Sequence, residues 1–380
     1  MFFRKTLSGI LCLSIVFSVT VSFANEDSMS LSCPSALLMD FSSGKVLYEK
    51  DVHSKRPMAS VTKIMTMLLA MEAIDQGQIT YDDMITGSAY AKSMGGSTIF
   101  LDEGEQLSVR DILKGIAVSS GNDAAVAMGE HLAGSSENFV AAMNKRAKEL
   151  GMNNTNFVNC NGLDDDNHYS TAYDIALMSR ELMKHKDIFD FTSIWMDSLR
   201  DGAFTLSNTN KLIRFYDGAT GLKTGSTSKA KFCISATAKR GDMHLIAVIM
   251  AAPSSKERSK DASALLNYGF SNYSVSKVAK KDEIASTVHI DKGCSDLVNI
   301  VCKNDVDYLY SKKSSPQTNR EIVMSENLCA PCKKGDKAGE MIIRDGEKEI
   351  GRCDLVFESD VNKKNVGAIF SSIFKNWVSL

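Results

Sequence analysis

Apolar periodicity changes twice along this chain, and that change limits the folds open to it. Near the start, Ala36–Phe41 and Val46–Lys50 read as strands around the turn residues Ser42, Ser43, Gly44 and Lys45. From about Ala59 to Ile74, and again over Val109–Gly115, Asn122–Leu132, Glu137–Leu150 and Thr171–His185, the pattern predicts helices. Strand patterning returns in Lys231–Lys239 and His244–Ala251, about the turn Arg240-Gly241-Asp242, before a helix over Lys260–Tyr268. Strands on either side of a helical middle predict an α+β fold, an antiparallel sheet with helices packed on it.

After about Ser276 the texture changes again. Thr287–Ile290, Leu297–Val301, Val306–Tyr310, Gly339–Arg344 and Cys353–Phe357 are short β-rich runs between charged turns, and predict a small all-β domain over residues 277–360. A chain of 380 residues has room for both domains.

The two ends carry their own signals. Arg4 and Lys5 precede an apolar stretch from Leu7 to Val21, and Ser22-Phe23-Ala24 supplies small residues where a signal peptidase cuts. Residues 1–24 are therefore expected to be an export signal. In the last segment, 361–380, Val366, Ile369, Phe370, Ile373, Phe374 and Trp377 recur at helical spacing behind Lys363 and Lys364. That stripe predicts an amphipathic helix lying on a membrane surface, with Trp377 near the headgroups. The two signals together place the chain outside the cytoplasm, on the outer face of the cytoplasmic membrane or secreted.

Charge and metal-binding residues narrow the chemistry. Lysine plus arginine (44) nearly balance aspartate plus glutamate (46), so no basic footprint for nucleic acid exists. The histidines at 53, 131, 168, 185, 244 and 289 are scattered, and no HExxH is present. Of nine cysteines, Cys294, Cys302, Cys329, Cys332 and Cys353 fall in the β-rich region. Cys329-Ala330-Pro331-Cys332 is a lone CxxC, open to a disulfide, a redox pair or half a zinc site, without the second pair a zinc site needs. No metal and no cofactor are expected. A Ser-His-Asp triad has no GxSxG elbow to stand on.

Three short motifs do carry chemistry, in order. Ser60-Val61-Thr62-Lys63 opens the first helix, Ser120-Gly121-Asn122 leads into another, and Lys223-Thr224-Gly225 precedes the long hairpin. S-x-x-K alone is weak, since it recurs at Ser42, Ser226, Ser228, Ser274 and Ser372; K-T-G occurs once, and the signal is the ordered set. Residues three apart share a helix face, so Ser60 and Lys63 point the same way. A serine hydroxyl attacks only when a base takes its proton, and lysine is a base only as the neutral amine. Burial and a second cation lower a lysine's pKa, and Lys223 is the expected second cation. Ser120 is placed to relay a proton, Asn122 to hydrogen-bond a substrate amide, and Lys223 with Thr224 to bind a carboxylate. Gly225 lets a strand backbone approach the substrate.

This set is shared by class A β-lactamases and penicillin-binding proteins. The surroundings resemble the low-molecular-weight penicillin-binding proteins that are D-alanyl-D-alanine carboxypeptidases, in the stretches Pro57–Thr66, Ser120–Ala124, Asn161–Asp164 and Gly221–Gly225. The resemblance covers about residues 30–270, and the β-rich region and amphipathic tail fit the family layout. It implies a DD-peptidase/β-lactamase-like catalytic domain over 25–276, with Ser60 as acylated nucleophile, Lys63 as general base, Ser120 as relay and Lys223 as carboxylate binder. It further implies an oxyanion hole from the backbone N–H groups of Ser60 and Ser226, with serine at 226 where some members carry histidine. The implied substrates are peptidoglycan stem peptides, with β-lactams as inhibitors. A class A β-lactamase needs a glutamate between the second and third motifs to deacylate, yet none lies between Glu149 and Glu181; Asp164, Asp165 and Asp166 stand in the loop there. Related serine acyl-enzymes, a DD-endopeptidase or a β-lactamase, and a catalytically silent binding protein are the alternatives.

Overall fold

The structure is a computed structural model, and it describes residues 29–364 other than 292, 295, 296, 315 and 327. The expected export signal and the amphipathic stripe from Val366 onward lie outside the described residues.

Five antiparallel strands form the main sheet, in the order Val46–Lys50, Ser35–Asp40, Met243–Ala252, Lys231–Arg240 and Ala219–Thr227. The N-terminal hairpin therefore lies beside the last strand of the sheet in sequence, Ser35 opposite Met250 and Leu38 opposite Ala247. Met243–Ala252 sits in the middle and is buried along nearly its whole length, which accounts for its unbroken apolar run. Side chains alternate across it. Leu38 and Leu245 meet the helix Ser255–Asn272 on one face, close against Gly269. Leu37, Met39, Ile246, Val248 and Met250 join the large core on the other face, under the helix Ala172–Leu182. Ser179 of that helix reaches Ser235 of the sheet, 2.8 Å away.

The expected helices are present as Val109–Ala117, Asn122–Ala133, Ser136–Glu149 and Ala172–Leu182. Two boundaries differ from expectation. The first helix begins as a 3-10 turn, Ala59–Thr62, and becomes α-helical only at Lys63. The helix expected from Lys260 starts at Ser255, where the Ser254 hydroxyl accepts from the Glu257 N–H.

The second region begins at Tyr273, slightly ahead of the expected boundary. Tyr273–Ala279 pairs with Val306–Ser311. A five-stranded antiparallel sheet follows, in the order Ile284–His289, Leu297–Cys302, Lys348–Phe357, Lys337–Asp345 and Thr318–Met324. Its own core includes Val278, Ile300, Met341, Ile343, Leu355 and Phe357. Cys302 and Cys353 lie in that core as free thiols; burial first, then the neighbouring Cys353, push the Cys302 thiol up to about 12.

Candidate active site

Ser60 and Lys63 occupy the 3-10 turn and the first α-helical position. In a 3-10 turn residues three apart are nearly eclipsed, which brings the two side chains together more directly than an α-helical turn does. The Lys63 Nζ lies 2.9 Å from the Ser60 Oγ. It also donates to the Asn122 Oδ1 and to the Asn161 carbonyl, each at 2.6 Å. Both of these oxygens can only accept. When the amine is neutral its two protons serve them, and the lone pair faces Ser60.

The Lys63 side chain has no exposed surface. Burial pushes its pKa down to about 7, against weaker pulls upward from Cys160 and Asp123. Of the two causes expected, burial and a second cation at Lys223, burial is the one that lowers it in the structure. Lys223 is itself fully buried and held well below the usual lysine range by burial, then by Lys63 and Arg258.

Ser120 sits at φ +65° in the left-handed region, at the turn into the helix Asn122–Ala133. Such a conformation costs a non-glycine residue roughly 1–3 kcal/mol. Hydrogen bonds of the two residues that follow hold it: Gly121 N–H to the Gly115 carbonyl at 2.9 Å and Asn122 N–H to the Ser97 carbonyl at 2.7 Å. Asn122 is committed at both ends of its amide, its Nδ2 donating to the Gly95 carbonyl at 2.7 Å as its Oδ1 receives Lys63. It fixes the base, besides whatever it offers a substrate. Next to it the buried Asp123 carboxylate accepts from the backbone N–H groups of Ile99, Leu101 and Ala124 at 2.8–3.0 Å, which ties the segment before the second motif to this helix.

The third motif lies on the edge strand Ala219–Thr227. Ser60, Ser120, Thr224, Gly225, Ser226 and Arg258 all line one cavity of about 260 Å³. Thr224 Oγ1 donates to Thr209 Oγ1 at 2.7 Å. A Cβ at Gly225 would stand 2.7 Å from the Met58 carbonyl oxygen and 2.8 Å from the Ser60 nitrogen. The glycine is thus needed for the strand to approach the nucleophile's own turn, a contact the sequence argument assigned to substrate.

Lys223, expected as a carboxylate binder, is not among the residues that line this cavity. Its Nζ donates to the Thr224 carbonyl at 3.0 Å, behind the cavity wall. The cation on the wall is Arg258, which sequence reasoning missed. Its Nε is buried without a hydrogen-bond partner, and its other nitrogens make only long contacts, 3.4 Å to the Cys233 carbonyl and 3.3 Å to Ser255 Oγ. Burial lowers its pKa to about 10. An under-satisfied guanidinium facing a cavity is a ready donor for a carboxylate.

The aspartates of the 161–167 loop do not reach the nucleophile. Asp164 accepts from Thr227 Oγ1 and Asp166 pairs with Lys229, each at 2.6 Å. Asp165 caps the turn at Asn167 N–H. All three are exposed, and Asp164 and Asp166 pin the loop to the end of the third-motif strand and the turn after it.

Residues 21–254 match the family model described as D-alanyl-D-alanine carboxypeptidase. The chain belongs to the D-alanyl-D-alanine carboxypeptidase family. Residues 273–363 match the C-terminal domain of penicillin-binding protein 5. The chain is 40% identical to the D-alanyl-D-alanine carboxypeptidase DacF of Bacillus subtilis, over 98% of this chain and 97% of that one. Among solved structures it is similar to penicillin-binding protein 5 from Haemophilus influenzae, at 31% identity and a TM-score of 0.71, covering 88% of this chain and 99% of the other. It is also similar to penicillin-binding protein D2 from Listeria monocytogenes in its cefotaxime-bound form, at 33% identity and a TM-score of 0.60, covering 64% of this chain and all of that one (100%). The activity of this family member is that of a serine-type D-Ala-D-Ala carboxypeptidase, a hydrolase.

Proposed function

We propose that this carboxypeptidase removes the terminal D-alanine of peptidoglycan stem peptides through an acyl-enzyme on Ser60. The observation that carries this assignment is the Lys63 amine, fully buried and held by two acceptor-only oxygens with its remaining position toward the Ser60 hydroxyl.

The neutral Lys63 takes the Ser60 proton as Oγ attacks the carbonyl before the last D-Ala. The oxyanion that forms is received by the backbone N–H groups of Ser60 and Ser226, two residues that line the same cavity. Ser120 passes the proton to the departing amine. Thr224 and Arg258 hold the terminal carboxylate, while Lys223 donates to the Thr224 carbonyl and holds that residue in place. Asn122 keeps Lys63 in place and presents its amide to the substrate backbone. Water then hydrolyses the ester. Gly225 keeps the strand close enough for all of this to happen in one cavity.

β-Lactams enter the same cavity and acylate Ser60, a reading supported by the similarity to a relative solved with bound cefotaxime. Among the described residues no glutamate and no aspartate lines the cavity with Ser60 to speed release, so the adduct persists. Replacing Ser60 by alanine should abolish both D-Ala release and the penicillin adduct in a mass spectrum of the intact protein. An adduct retained on another residue refutes the assignment.

The enzyme is exported, with the catalytic and β-rich domains held at the outer face of the cytoplasmic membrane by the apolar stripe of the segment 361–380. No helix of the described residues is long and apolar enough to cross a membrane. Removing residues 366–380 should release the enzyme from vesicles of anionic phospholipid while leaving kcat on a soluble peptide unchanged; retention on the vesicles after removal refutes the anchor.

A further inference from the structure

Thr62 stands inside the nucleophile's turn and His168 lies far along the chain, yet the two meet in the core. Thr62 Oγ1 and His168 Nε2 are 2.7 Å apart, both side chains almost wholly buried. Thr62 Oγ1 also donates to the Ala59 carbonyl at 2.8 Å, and the Val158 N–H donates to His168 Nδ1 at 3.1 Å.

Only one arrangement of protons satisfies these three bonds. A carbonyl accepts, so the Thr62 proton goes to Ala59. His168 must then donate from Nε2, which leaves Nδ1 bare for Val158. The histidine is neutral in this state, and burial keeps it so, pushing its pKa down to about 4 against Asp165 and Asp164.

The relay ends on the carbonyl of Ala59, the residue before the nucleophile. Ala59 sits at φ +49°, a conformation an alanine holds only when its surroundings impose it. The same carbonyl is pressed against Gly162, where a Cβ would stand 2.0 Å from it. The Ala59 carbonyl and the Ser60 N–H belong to one planar peptide unit and point in opposite directions. Whatever fixes the carbonyl also aims the N–H.

We infer that His168, acting through Thr62, is a positioning residue that aims the Ser60 backbone N–H into the cavity as an oxyanion donor. The inference rests on the Ser60 acyl-enzyme reading above. His168 touches no substrate; it orients the peptide that does.

The test uses the full-length enzyme, with penicillin as the acylating probe and a soluble D-Ala-D-Ala peptide as substrate. An asparagine side-chain oxygen replaces the Nδ1 acceptor but has no donor at the Nε2 position, whereas a glutamine amide nitrogen reaches that position. His168→Asn should slow acylation on the order of 10- to 100-fold, short of the loss of a complete oxyanion donor, with kcat falling and KM held. His168→Gln should recover most of that rate. Thr62→Val should match His168→Asn, Thr62→Ser should restore it, and the Asn/Val double variant should be no slower than Thr62→Val alone. Melting temperatures measured alongside separate folding from positioning; if His168→Asn does not fold, the Val and Ser variants at Thr62 put the same question. Wild-type rates in His168→Asn, or equal rates in the Asn and Gln variants, overturn the relay. A wild-type enzyme that acquires no adduct at Ser60 overturns the underlying reading instead.

Discussion

Replacing Asn122 by aspartate tests the assignment of Lys63 as base most directly. The Asn122 Oδ1 lies 2.6 Å from the Lys63 Nζ, so the substitution places a carboxylate in contact with a buried amine without changing its size. An opposite charge within a few ångströms raises a lysine's pKa, by about 1–3 units in proteins. The Lys63 value of about 7 would then move to about 9. At pH 7 the wild-type amine is neutral in about half the molecules and the variant's in about one in a hundred, so acylation should fall roughly 50-fold. The sign fixes the rescue: neutral amine is needed, so the lost rate returns as pH rises through the new pKa. The assay is the second-order rate of penicillin acylation between pH 6 and 10. Aspartate also gives up the N–H that Asn122 donates to the Gly95 carbonyl, which lowers the plateau without moving the midpoint. An unchanged midpoint, or a rate that alkaline pH fails to restore, refutes the claim that Lys63 deprotonates Ser60.

Three further substitutions probe the cavity. Gly225→Ala sets a Cβ 2.8 Å from the Ser60 nitrogen and 2.7 Å from the Met58 carbonyl, backbone atoms that cannot rotate away, so adduct formation should be lost in protein that remains folded by circular dichroism. Arg258→Gln removes one charged contact to the terminal carboxylate, worth about 1.5–3 kcal/mol, so kcat/KM should drop roughly 10- to 150-fold for a D-Ala-D-Ala peptide but little for its C-terminal amide; an equal drop for both places the carboxylate elsewhere. Asp123→Asn turns an amide group toward backbone N–H donors at Ile99, Leu101 and Ala124, and should cost about 1–3 kcal/mol in urea unfolding, with a smaller loss contradicting its role as the tie between segments.

What the sequence disclosed and what it withheld have physical causes. Ser60, Lys63, Ser120 and Thr224 were legible because three short motifs stand in order along the chain, and Ser60, Ser120 and Thr224 line one cavity with the Lys63 amine 2.9 Å from the Ser60 hydroxyl. The length of the strand that carries the third motif was not, since Ala219–Thr227 holds two glycines and a lysine where strands usually alternate apolar residues. It is extended because Lys231–Arg240 pairs with it along its length. Arg258 escaped notice because the helix was expected to start at Lys260. Ser254 followed three residues later by Glu257 is a capping-box signature that would have moved the start back and put Arg258 in the first turn, at the edge of the sheet.

The basicity of Lys63 is the instructive case. Burial and a second cation were both expected to lower its pKa, and burial is the one that acts on it. The residues that follow, Ile64, Met65, Met67, Leu68, Ala70 and Met71, leave the helix with no polar side over its first two turns, and all of them are buried. A helix apolar on all sides belongs in a core. A lysine at its first position must then enter the core with it, and loses solvent before any neighbouring charge acts. Burial of the catalytic amine is therefore written in the hydropathy of its own helix, and Lys223 experiences the repulsion of Lys63 as a consequence of sharing that interior.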